Sequence, residues 1–315
     1  MPSPRRIDIH VHLIPQFYQD AAYEAGAGPA IGRYPDWSPE LALDLMDKSG
    51  IEVGLMSLAQ PGVQFGDPKK APTLARRCNE YSAELNARWP KRFGSLAVLP
   101  MWNADEAAAE IDHALTQLRH QGVCLFASYG GKFLGDPWFD PVLAALNDRA
   151  AVVFVHPALH PSSRTLELPW PGFMMEYVFD TTRAAVNLAF SGAIERFPRI
   201  RFVLAHAGGL MPYFAWRLSV SPMIDKRLEQ LSPGEVYDRL RRFWYDNALS
   251  PTAETLQCLK PVAPEGQIVF GSDWPFANAP VVAEAVRTYE GVAMPPDQRA
   301  AIDRRNALSL FPEFA

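Results

Sequence analysis

The sequence is poor in cysteine: Cys78, Cys124 and Cys258 stand far apart and form no CxxC pair. That excludes a disulfide-stapled scaffold and a thiolate zinc finger. No apolar run approaches the roughly 18 residues of a membrane-spanning helix, and the first residues lead into a polar strand motif instead of an apolar signal segment. A cytoplasmic location is therefore the expectation. No basic run offsets the net charge of −5, so neither nucleic acid nor an anionic membrane is an expected partner, and small molecules are. There is no GxxxxGK[ST] phosphate loop, and the pair Gly208 and Gly209 reads as a tight turn. What is plentiful is apolar residue, at 48% against 21% charged, enough for a sizeable core. The 29 prolines are spread along the chain as loop punctuation instead of marking a linker.

Short apolar, β-branched runs recur with room for a helix between most pairs, the sequence form of repeated βα units. There are eight: Ile7–His12, Val53–Ala59, Phe93–Leu99, Val123–Ser128, Ala151–His156, Phe202–His206, Phe243–Asn247 and Gln267–Asp273. The spacing of Ala108, Ile111, Leu115 and Leu118 predicts a helix over 105–120, stopped by Gly122. Ser38 followed by Pro39 predicts a capped helix start, and Gly50 its end. The expected fold class is α/β: a (β/α)8 TIM barrel in one domain over residues 1–315, with an insertion after strand 1. Residues 13–37 of that insertion, rich in glycine, proline and aromatics, are expected to form a lid. An open doubly wound sheet is the alternative, and it would scatter strand-end residues along an edge.

The run Ile7–His12 carries the most chemistry. Strand side chains alternate, so His10 and His12 share one face, with Ile7, Ile9 and Val11 expected on the other. His156 ends the fifth run, His206 the sixth and Asp273 the eighth, and a barrel brings strand C-termini to one mouth. His10, His12, His156 and Asp273 read as metal ligands, with His206 across the same mouth. Three nitrogens and one carboxylate suit zinc, and also accommodate manganese or ferrous iron. His113 and His120 lie on the helix before the fourth strand and read as surface histidines. Asp246, near the end of the seventh strand, either orients a ligand or bonds backbone amides. Trp274 and Phe276 follow the eighth strand and are placed to stack on a flat substrate. Tyr34, Trp37, Phe65 and Tyr129 are weaker candidates with packing as the alternative, and Arg183 is either an anion reader or a surface residue.

Five ordered motifs then resemble one family: Asp8 to His12, Val155 to Pro157, Leu204 to Gly209, Tyr245 to Ala248, and Gly271 to Phe276. Over nearly its whole length the chain resembles the amidohydrolase superfamily, in the amidohydrolase 2 branch of aminocarboxymuconate semialdehyde decarboxylase and the aromatic acid decarboxylases. Pro61 to Asp67 and Ser128 to Lys132 resemble the 6-methylsalicylate type within it. The resemblance implies one divalent ion on His10, His12, His156 and Asp273, His206 acting on water or substrate, and an arginine reading a substrate carboxylate, often across a dimer interface. That position falls on Arg217. Binuclear relatives carry a lysine on the fourth strand, whereas Val123–Ser128 has none and Lys132 lies past it. One metal per chain is expected, zinc ahead of manganese, in a homodimer or a dimer of dimers.

The implied activity is non-oxidative decarboxylation of a hydroxybenzoate-like or related unsaturated acid. The ring or alkene carbon takes a proton from Asp273, His206 positions or relays it, and carbon dioxide leaves. The alternative is hydrolysis or hydration at the same centre, with Asp273 as base toward water and a lactone or amide as substrate. A metal-binding barrel without turnover is a third reading, disfavoured by a ligand set accompanied by His206.

Overall fold

Each apolar run becomes a strand in the computed structural model, which describes residues 5–165, 169–264 and 266–315. We number them β1 Arg6–His12, β2 Ile51–Ser57, β3 Phe93–Ala97, β4 Gly122–Phe126, β5 Val152–His156, β6 Arg201–Leu204, β7 Trp244–Asp246 and β8 Ile268–Val269. All neighbours pair in parallel in chain order. The first and last strands also meet: Ile9 N–H donates to Phe270 O at 3.0 Å and His12 N–H to Trp274 O at 2.8 Å. That seam makes a barrel and removes the open sheet. The eighth run is regular only over Ile268–Val269, and then follows β1 through isolated bridges because Asp273 turns into the left-handed region at φ 61°.

The β1–β2 register shifts twice, between Arg6 and Ile7 and again between Asp8 and Val11, and the second shift breaks the alternation of β1. Ile7 faces Val53 and Asp8 faces Gly54, yet Val11 faces Met56, so β1 holds an extra residue around Ile9 and His10. This bulge switches the pleat. Ile7 and Ile9 pack inside the barrel with Val53, Leu55, Leu96 and Phe154, and Val11 packs outside against the helices. The expectation that all three oppose the histidines is corrected: Ile7 and Ile9 fill the interior, and past the bulge His10 and His12 face the centre above them. Ala307, Leu310 and Phe311 from the C-terminal segment join the same inner cluster.

Ser38 caps the helix Pro39–Lys48, its side chain accepting from Leu41 N–H at 3.1 Å, and Gly50 follows at φ 64°. The next predicted helix runs Ala104–Asp112 and ends in a π-helical turn, His113–Gln117, before the chain reverses through Arg119 at φ 56°. Gly122 is not its stop. It starts β4, where a Cβ would lie 2.5 Å from Val152 O. Residues 13–37 hold the helix Gln16–Glu24 and an irregular arm. Tyrosines anchor that arm: buried Tyr18 donates to Gly62 O at 2.8 Å, and Tyr23 OH accepts from Tyr34 N–H at 3.0 Å. Among the described residues no helix is long and apolar enough to cross a membrane.

His120 corrects a second expectation, because it is buried. Ser82 Oγ donates to Asn79 O at 2.9 Å, so His120 Nε2–H donates to Ser82 Oγ at 2.8 Å, and its buried Nδ1 has no partner. Burial lowers this imidazole to about 4. An unfolded histidine titrates near ~6.5, so below that pH the unfolded chain binds a proton that the folded chain refuses. Stability therefore falls as pH drops from about 6.5 toward 4, by roughly 2 kcal/mol between pH 7 and 5 from this group. Urea unfolding of wild type and His120→Gln at both pH values checks it: the variant should lose less, and equal losses would remove the assignment.

Candidate metal centre

The barrel mouth gathers the residues that sequence placed at strand ends. His10, His12, His156 and Asp273 each offer one ligand atom, all four within 4.8 Å of one another and all buried. Imidazole centroids are 5.1 Å apart for His10 and His12, 4.9 Å for His12 and His156, and 5.3 Å for His10 and His156. The far nitrogen of each ring is already held. His10 Nδ1–H donates to Asp246 Oδ2 at 2.6 Å and His156 Nδ1–H to Pro157 O at 2.8 Å, while His12 Nδ1 lies 3.3 Å from Ser57 O. Those contacts leave the Nε2 lone pairs facing inward, the arrangement a metal-binding histidine needs. His10 Nε2 is buried and faces Asp273 Oδ1 at 3.2 Å. The donor set therefore fits a divalent cation. Among the described residues this is the one such group, and Lys132 stands apart beside Asp136 at 3.7 Å.

Charge points the same way. Burial would lower the His10 imidazole, but Asp246 and Asp273 outweigh it and raise it to about 10. Burial lowers His12, and with the neighbouring imidazole charges it holds His156 well below its usual range. Burial would raise Asp273, yet the His10 charge and hydrogen bonds from His10, His12 and His206 hold it well below the usual carboxylate range. A buried carboxylate that stays ionised needs positive charge beside it.

Asp246 performs both roles considered for it. Its Oδ2 takes His10, and its Oδ1 accepts from His206 N–H at 2.7 Å and Ala248 N–H at 3.1 Å. It thus orients one ligand and pins the backbone of His206, which sits at φ 53°. His206 Nε2 lies 3.4 Å from Asp273 Oδ2, and its Nδ1 is buried without a partner. The turn that follows requires glycine: at Gly209, φ 64°, a Cβ would lie 2.2 Å from Val178 O.

His156, His206 and Asp273 open on a cavity of about 380 Å³ walled by Ala30, Ile31, Gln60, Tyr177 and Phe276 among others. Phe276 packs edge-on to His12 at 5.4 Å. Trp274 is not brought there. It is buried in the core, as its backbone pairs with β1. Arg217 is exposed on the helix Met211–Val220 and does not line this chain's cavity. Arg183 is part-exposed beside Glu176 at 3.8 Å, outside the cavity. Tyr34 packs against Tyr18, Trp37 against Tyr81, and Phe65 and Tyr129 line a neighbouring cleft.

Sequence reasoning missed Gln60, Tyr177 and Asp8. Gln60 lies three residues past β2, where the strand-end rule points, whereas Tyr177 on the helix Glu176–Phe190 has no such signal. Asp8 accepts from His10 N–H at 3.0 Å and Ser272 N–H at 3.1 Å, tying the bulge to the seam, and burial raises its carboxyl to about 7.

The family described as amidohydrolase matches residues 7–312. Decarboxylase yanB of Aspergillus niger is 36% identical over 98% of this chain and 88% of its own. The 6-methylsalicylic acid decarboxylase of Penicillium expansum is 34% identical over 98% of this chain and 97% of its own. Among solved structures, 5-carboxyvanillate decarboxylase LigW from Sphingomonas paucimobilis superposes with a TM-score of 0.86 at 27% identity, covering 98% of this chain and 99% of that one.

Proposed function

The chain belongs to the amidohydrolase family, and from that premise we propose that it is a metal-dependent carboxy-lyase acting on a hydroxybenzoate-type acid. One observation carries the reading: a buried three-histidine, one-aspartate cluster opens on a cavity of about 380 Å³, roomy enough for a substituted ring, in a chain whose full-length relatives include aromatic acid decarboxylases. Zinc is the proposed ion, on the nitrogen-rich donor set. When bound, it supplies positive charge that holds the acid's oxygens and offsets charge developing on them.

The protein's own groups do the rest. Phe276 and Tyr177 flank the ring, and cavity walls of Ile31 and Val178 exclude water. The proton to be delivered passes between His206 Nε2 and Asp273 Oδ2, 3.4 Å apart. Asp273, ionised at rest because its neighbours hold it low, takes that proton from His206 and passes it to the ring carbon bearing the carboxylate. The carbon–carbon bond then breaks, carbon dioxide leaves, and its electron pair restores aromaticity.

Arg217 is proposed to serve the cavity of a second copy. It stands beside Tyr213 and Trp216, 75% and 71% exposed, and near Met223 and Ile224, 77% and 85% exposed, an apolar patch fit for a homodimer interface. The 13–37 arm is proposed as the lid, since Ala30 and Ile31 wall the cavity. Three free cysteines fit a cytoplasmic protein.

Zinc-loaded protein should release carbon dioxide from 6-methylsalicylate or 2,6-dihydroxybenzoate and stop with chelator. No release from hydroxybenzoates, with cleavage of lactones instead, would replace the lyase with a hydrolase.

A further inference from the structure

A second cleft, about 630 Å³, lies beside the metal-site cavity. Its walls are chiefly apolar and aromatic: Phe65, Met101, Phe126, Tyr129, Trp138 and Leu159. The two spaces meet at the fifth strand's end, where His156 lines one and Ala158 the other. Among the described residues, Gln60 alone lines both. Its Oε1 accepts from Tyr177 OH at 3.3 Å, and Tyr177 walls the metal-site cavity, its ring 6.2 Å from that of His156. The Gln60–Tyr177 hydrogen bond therefore lies where the two spaces adjoin.

We propose that Gln60 and Tyr177 form a specificity gate, and that the cleft behind it is an annex of the substrate site for an apolar chain on the ring. The inference rests on the decarboxylase reading for its ring acid. Closed, the gate confines the substrate to one ring with short substituents. Opened, it gives an alkyl chain an aromatic-lined channel in place of water, where each buried methylene favours binding. Gln60 suits the task because neither partner is tied elsewhere by another side chain: no other hydrogen bond holds the Gln60 amide or the Tyr177 hydroxyl among the described residues.

The test compares 6-methylsalicylate with 6-pentylsalicylate, measuring both Kd by calorimetry and carbon dioxide release on zinc-loaded protein. Wild type should prefer the methyl acid in both. Gln60→Ala should move the pentyl-to-methyl ratio of binding by about tenfold or more toward pentyl. Tyr177→Phe, which keeps the ring and removes the hydroxyl, should move it the same way by less. Adding Ala27→Trp, at the cleft's half-buried rim, to Gln60→Ala should return the ratio to the wild-type value. A binding ratio unmoved by Gln60→Ala, or unaffected by filling the cleft, overturns the gate. Binding ratios that shift as expected without carbon dioxide from either acid keep the gate and overturn the decarboxylase reading instead.

Discussion

Asp273→Asn is expected to lower decarboxylation roughly 10³-fold while leaving the melting curve close to wild type. The substitution keeps shape and one acceptor oxygen for the three histidines, and asparagine tolerates the positive φ of this position. What it removes is the charge and the proton. An uncharged amide neither completes the ligand set nor passes a proton from His206 to a ring carbon. The assay belongs at saturating zinc, so that weaker metal binding is not mistaken for lost chemistry. On the proposed role of Arg217 in a second copy's cavity, Arg217→Ala should be equally silent for a different reason, the loss of that cation from the mouth it serves. Refolding the two variants together should then recover about a quarter of the sites, those pairing an intact Asp273 with an intact Arg217. A mixture that stays inactive would detach Arg217 from the site, and an active Asp273→Asn would end the proposed role of that carboxyl.

The second large effect is expected at a residue that need not touch substrate. Asp246→Ala strands three donors at once, His10 Nδ1–H, His206 N–H and Ala248 N–H, in a wholly buried place. Removing one partner of such a group costs about 3 kcal/mol of stability. Zinc affinity should fall about 10- to 100-fold, because His10 is no longer held with Nε2 inward. Asp246→Asn, which retains one acceptor oxygen, should fall between. Zinc competition titrations with thermal melts read both quantities, and unchanged zinc affinity in the alanine variant would reduce Asp246 to a packing role.

The candidate metal ligands were legible in the sequence because they obey one geometric rule: parallel strands in a closed barrel end at the same mouth. That rule needs only strand ends, which His12, His156 and Asp273 mark. It is blind to features that depend on neighbours distant in sequence. The β1 bulge is invisible as a pattern, since Ile7, Ile9 and Val11 look like one face whether or not an extra residue intervenes. His120 reads as a surface position on a helix until Ser82, from another helix, is seen to receive its N–H. Trp274 looked available because it follows Asp273, yet pairing along the seam turns it into the core. Gln60 and Tyr177 are separated by 117 residues, and nothing local to either announces their contact.

The seam between the first and last strands has a temporal meaning as well. His12 and Asp273 are separated by 261 residues, and Asp8 from its tether Ser272 by 264. A nascent chain therefore carries imidazoles without the carboxylate of the set until the eighth strand has been made. Closing the circle of strands and completing the cation site are thus a single event, so the proposed ion has its full ligand set only once the first and eighth strands have met.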